Sequence, residues 1–226
     1  MAESYARKLL EIVEESGDVD ATMALLDEFF RGFPVENLRL LLSSESDVAV
    51  KSGAFLASEL GEQVQPIWKD AAMLIDYPDP RVRGDVLDCI LLCSRPSDAK
   101  ILARTVNLLS DPHPGIRWKI LQFFARLGPA HLMSAASLSP REECKALTWL
   151  AELARGEVPA TTIGSALTSS VWQERLIAVS AAVRVYKSDP KWLELAASST
   201  YPEVHSIAKD LLDLEERKSE RRRDLS

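Results

Sequence analysis

The chain has 226 residues, of which 46% are hydrophobic and 27% charged, and a net charge of −7. That is the composition of a soluble folded protein, and no apolar run approaches the ~18 residues of a membrane span. Acids outnumber bases 14 to 6 over residues 1–75 but stand at 20 to 21 over 76–226, so the acidity is N-terminal and gives nucleic acid no basic footprint.

Apolar residues recur at three and four spacing from the start, as in Leu9, Leu10, Ile12 and Val13, with strict alternation rare, so the chain reads as all-α. Glu3 stands where a secretory signal would be basic, and a cytoplasmic protein is expected. Residues 1–33 read as one helical pair divided at Gly17 and closed by Phe33-Pro34. Further breaks fall at Ser43–Ser46, Gly61, Tyr77–Pro80 and Arg95-Pro96. In the second half they fall at Asp111–Pro114, Gly128-Pro129, Ser139-Pro140, Gly156–Pro159, Ser188–Pro190 and Ser199–Pro202. Helices of roughly 10–18 residues are predicted between them. Asp111-Pro112, Ser139-Pro140 and Asp189-Pro190 have the form of helix starts, a capping side chain before a helix-compatible proline. Cys89 and Cys93 share a helix face and Cys144 lies on another element. Buried, reduced thiols are expected there, because two thiolates alone do not make a metal site. After Leu214 the apolar face ends, and 215–226, with Arg221-Arg222-Arg223, reads as a charged, disordered tail.

A short phrase repeats along the chain, as Asp79-Pro80-Arg81-Val82-Arg83 and as Asp111-Pro112-His113-Pro114-Gly115-Ile116-Arg117. Setting its Arg on a common position gives Ala49, Arg83, Arg117, Lys145, Arg175 and His205, spaced by 34, 34, 28, 30 and 30 residues. A period of that size predicts stacked helical repeats, and one continuous array over 1–214, with 1–33 as an N-terminal cap and 34–214 as repeats.

The stretch from Leu108 to Arg117, and that from Leu74 to Arg83, resembles the inter-helix signature of HEAT-repeat proteins. The resemblance implies a right-handed α-solenoid of about six HEAT-like pairs plus the capping pair. It also implies that the aspartate closes the turn between helices, that Val82 and Ile116 pack inside, and that Asp79, Arg83, Asp111, Arg117 and Arg175 form a structural ladder. The match is partial at Glu174-Arg175, weak at Cys144-Lys145 and Val204-His205, and the unit of Ala49 lacks the base.

Catalytic signals are sparse. His113, His131 and His205 have no motif around them, and there is no His-Glu-x-x-His, phosphate loop or metal-spaced acidic cluster, so neither cofactor nor metal is expected. What the array offers is a surface. If the Arg-bearing helices line the concave face, as in HEAT proteins, the positions one, two and five beyond each Arg point outward. These are Val50, Lys51 and Ala54, then Gly84, Asp85 and Asp88, then Trp118, Lys119 and Gln122. Trp118, Lys119, Gln122, Asp85 and Asp88 are the expected partner-binding residues, an aromatic anchor with an acidic patch. The competing reading packs Trp118 across a repeat interface. The expected function is non-enzymatic binding of a partner protein of basic character, by an adaptor or an inhibitor of the immunity-protein kind. In the alternative, Ser170 to Ala178 is similar to a repeat of the HEAT-like DNA alkylation-repair glycosylases. That similarity implies stacking by Trp172, a phosphate contact by Arg175 and a catalytic carboxylate such as Asp88. The HEAT-repeat bilin lyases share the fold.

Overall fold

The computed structural model describes residues 2–224, with side chains from 4 to 214 and at 217. Among these there are fourteen α-helices and no strand. The chain divides into two compact units, Met1–Arg95 and Pro96–Ser226. The division falls where Pro96, lacking an amide hydrogen, follows the end of a helix at Cys93.

The first unit holds three helical pairs: α1 (Ala2–Ser16) with α2 (Val19–Phe30), α3 (Leu38–Leu42) with α4 (Asp47–Leu60), and α5 (Trp68–Ala72) with α6 (Pro80–Cys93). The first pair lies within residues 1–33. Its turn needs Gly17, at φ +61°, and a Cβ there would lie 1.8 Å from Val48 Cγ1 on α4. The second unit holds four pairs: α7 (Ala99–Val106) with α8 (Pro114–Arg126), α9 (Pro129–Ser137) with α10 (Arg141–Arg155), α11 (Thr162–Leu167) with α12 (Trp172–Val185), and α13 (Lys191–Ala197) with α14 (Pro202–Asp224). From the second pair onward the leading helices run only 5–9 residues, shorter than predicted. Their flanking turn residues lie too close for more, and several helices run into 3-10 turns, as at Met73–Asp76 and Asn107–Ser110.

The apolar stripes of the paired helices meet inside each unit, on Leu25, Leu38, Leu56, Ile75 and Leu87 in the first and Leu102, Leu109, Ile120 and Phe124 in the second. Cys89 and Cys93 are buried with them, and burial pushes the Cys89 thiol well above its ordinary range. Stacking in the first unit is sequential, with α4 against α2 and α6. In the second, α12 packs against α8 as well as α10. Arg184 of α12 donates through Nη2 to the carbonyls of Phe124 and Leu127, capping the C-terminus of α8, where helix carbonyls lack internal partners.

The repeated arginines act on the turns before their own helices. Arg83 Nη1 donates to the carbonyls of Tyr77 and Pro78, each at 2.7 Å. Arg117 donates to Asp111 and Pro112, at 2.6 and 3.2 Å. Arg175 donates to Ser169 and Ser170, at 2.9 and 3.2 Å. The acceptors lie six and five residues before the arginine each time. Val82 and Ile116 are buried as expected.

This geometry corrects the register. The residues that precede helices α4, α6, α8, α10 and α12 are Ser46, Asp79, His113, Pro140 and Val171. Four residues on lie Val50, Arg83, Arg117, Cys144 and Arg175, so the equivalent positions are Val50 and Cys144, not Ala49 and Lys145. Asp79 and Asp111 are likewise not equivalent. Asp79 caps α6, accepting from the Arg81 amide at 2.8 Å. His113 caps α8 through Nδ1, and Asp111 lies two residues earlier, where it accepts from the His113 amide at 2.8 Å. Ser44, Ser169 and Ser199 hold that earlier place in their turns, each accepting from the amide two residues on. Ser139 caps nothing; its hydroxyl donates back to the carbonyl of Ala135.

Ion pairs between repeats form at two of the ladder residues, Asp79 and Arg175. Lys51 pairs with Asp79 at 3.0 Å, and Arg175 Nη2 with Glu203 at 2.7 Å. Both pairs span 28 residues. Finally, α14 carries a helical backbone through Asp224 where a loose tail was expected. No Gly or Pro follows Pro202, and Glu, Lys and Arg are strong helix formers. The side chains of Arg221, Arg222 and Arg223, and Leu225 and Ser226 altogether, lie outside the described residues.

Candidate functional site: a carboxylate-lined cleft on the second unit

Trp118 sits one turn into α8, directly after the clamp residue Arg117, and is half-buried. Its indole Nε1 is buried and has no hydrogen-bond partner within the protein. Beside it opens a cavity of about 510 Å³. One wall comes from the first turns of α8, with Pro114, Gly115, Arg117 and Trp118. The other is one stripe of α14: Glu203, Ile207, Asp210, Leu214 and Arg217 recur at steps of four, three, four and three, which places them on a single helix face. Asp213 adds a further carboxylate.

The charges of this cleft are unequally committed. Arg117 donates through Nη1 to two turn carbonyls and keeps its charge, Arg217 is a second cation of the lining, and Glu203 is held by Arg175, whose guanidinium lies 3.9 Å over the Tyr201 ring. The hydrogen bond from Arg175 keeps the Glu203 carboxyl below its ordinary value. Asp210, exposed, and Asp213, half-buried, face the same space as the indole. An aromatic wall with carboxylates opposite suits a cationic side chain with an aliphatic stem, through ring quadrupole and ion pair together.

Lys119 and Gln122 are half-buried on α8 and do not line this cleft. Asp85 and Asp88 are half-buried on α6, in the first unit, where Asp85 borders a different cavity. The five residues expected to form one binding face are therefore distributed over two units. Of the other positions expected to point outward, Lys51 is half-buried, whereas Val50, Ala54 and Gly84 are buried because they face neighbouring helices. The α14 face was missed in the sequence, although its spacing carried the signal; polar residues at three of the five positions masked it.

Arg175 is only 8% exposed; Nη1 donates to two carbonyls, Nη2 pairs with Glu203 and the guanidinium lies over Tyr201, while its buried Nε has no partner. A second cavity of the unit, about 480 Å³, lies between α10 and α11 at the start of α12 and is lined by Ala146, Trp149, Ser165, Ala166 and Glu174 among others. Neither it nor the cleft is lined by a His or Cys. Among the described residues no three His, Cys, Asp or Glu side chains come together to hold a metal, and no helix is long and apolar enough to cross a membrane.

No protein-family model and no curated protein matches the chain. Solved structures similar to it include a designed armadillo-repeat protein in complex with the peptide (KR)4, at 17% identity and TM-score 0.44, covering 92% of this chain and 90% of that one. A second designed armadillo-repeat protein matches at 18% identity and TM-score 0.40, over 93% and 92% of the two chains. An engineered protein from a structural-genomics consortium matches at 20% identity and TM-score 0.39, over 92% and 87%. All three TM-scores are below 0.5, and the assignment of this chain as an all-α protein of paired helical repeats rests on its own helices.

Proposed function

We propose that the chain is a non-enzymatic, protein-binding module of HEAT-like repeats, an adaptor or an inhibitor of the immunity-protein kind. It grips a basic segment of its partner in the cleft between α8 and α14. The observation that carries this reading is Trp118, with its unpartnered indole N–H, set across about 510 Å³ from Asp210 and Asp213. A lysine or arginine entering there stacks its stem on the indole and brings its charge to the carboxylates. Against the glycosylase alternative stands the burial of Arg175, whose Nη1 and Nη2 are held by turn carbonyls and Glu203.

The test is affinity purification of the tagged protein from its host, with nuclease treatment, in parallel with Trp118→Ala and Asp210→Asn/Asp213→Asn variants. The reading requires a stoichiometric, nuclease-insensitive protein whose recovery falls at least tenfold in both variants, with melting temperatures within a few degrees of the parent. Nuclease-sensitive recovery, or a partner retained by both variants, refutes it.

A further inference from the structure

The first unit carries a second docking surface, in a part of the molecule the cleft does not touch. Eleven large apolar side chains are exposed among the described residues, and nine of them belong to residues 1–95. Those residues hold 18 acids against 9 bases, a net charge of −9. A highly charged unit has ample polar material for its surface, so apolar residues concentrated there stand out as an interaction face.

Two of them converge on a cavity. Val19, 73% exposed, and Met23, 47% exposed, lie one turn apart on α2 and open onto a cavity of about 460 Å³. Ser52 and half-buried Phe55 of α4, and Arg81 and Asp85 of α6, complete it, so it runs across the second helix of each pair. Gly17 lines its end and Val48, exposed beside it, closes the approach of the cap turn.

The rim sets the sign of the occupant. Asp18 and Asp20 flank Val19 in the chain, Asp85 lies on the far side, and Lys51 is held between Asp47 and Asp79. The lining itself carries Asp85, Arg81 and Lys51, with Lys51 offset by its two aspartates, and the unit around it has a net charge of −9. We infer that this groove docks an amphipathic helix of a partner protein, its aliphatic residues inserted over Val19, Met23 and Phe55 and its flanking lysines or arginines meeting the aspartates. A second copy of the chain would set one −9 unit against another, which disfavours it as the occupant.

The probe is a synthetic amphipathic helix of Leu and Lys, about 18 residues long, with a Leu/Glu counterpart of the same pattern. Binding to the full chain is measured by fluorescence anisotropy at about 0.15 and about 0.5 M salt, where purely ionic adhesion is screened. The Leu/Lys helix should bind saturably at both, and Val19→Ser/Met23→Ser should weaken it tenfold or more. Leu40→Ser, which removes an exposed leucine outside the cavity, should change affinity less than twofold. No binding, equal binding of the Leu/Glu helix, or equal loss in Leu40→Ser overturns the inference. So does dimerisation of the parent that Val19→Ser/Met23→Ser abolishes, which would make a second copy the occupant. Trp118→Ala should leave this binding unchanged, so the two surfaces stand or fall separately.

Discussion

Replacing Arg175 by methionine keeps most of the buried stem and removes the guanidinium. Two turn carbonyls, at 2.9 and 3.2 Å, lose their donor, Glu203 loses its ion-pair partner and Tyr201 the cation over its ring. A hydrogen bond from a charged donor contributes about 1.5–3 kcal/mol. The acceptor turn is only part-buried, so water replaces some of this and about 2 kcal/mol is the expected share of the pair. Stacking on Tyr201 adds about 1 kcal/mol, and the partly exposed ion pair about 0.5 kcal/mol. The expected loss is about 3.5 kcal/mol, a fall in Tm of roughly 7–14 °C for a chain of this size. Urea denaturation followed by circular dichroism measures it, with an unchanged m-value as the check that the same surface unfolds. A loss below about 1 kcal/mol would refute the assignment of Arg175 as a turn clamp. If the same variant also lost measurable binding to duplex DNA, the glycosylase reading would be restored.

Glu203→Gln should alter the acid limb of the stability curve. Arg175 holds the folded carboxyl below its ordinary value of 4.5, so the stabilisation is complete above that value and is lost as pH falls through the folded one. The variant should be less stable than the parent near neutrality and converge with it as the pH falls below the folded value; a constant difference across that range would show that Glu203 acts through packing alone. Gly17→Ala should cost about 2–4 kcal/mol, from the left-handed backbone and the overlap with Val48. Val48→Ala in the same chain should recover the overlap share, and failure to recover any would place the cost in the backbone alone.

Much of the fold was legible because helix periodicity and turn chemistry are local. Gly17, Pro34, Pro96 and Pro140 mark real boundaries, and the fourteen helices equal the six pairs and cap read from the sequence. The register was less secure. At Val50 and Cys144 the clamp position holds no arginine, so a neighbouring residue offered an equally good alignment until the helix starts fixed the count.

The sequence by itself determined the all-α character, the repeated phrase with its arginine and the acidic bias of the first units, since each follows from near neighbours in the chain. Tertiary structure alone decided what those residues touch. Arg175 reaches Glu203 across 28 residues and Arg184 reaches Leu127 across 57, and Trp118 acquires its carboxylates from α14, nearly a hundred positions on. Such pairings depend on how far each helix rotates and slides against its neighbours, which is set by the packing of whole side-chain surfaces and leaves no mark at any single position.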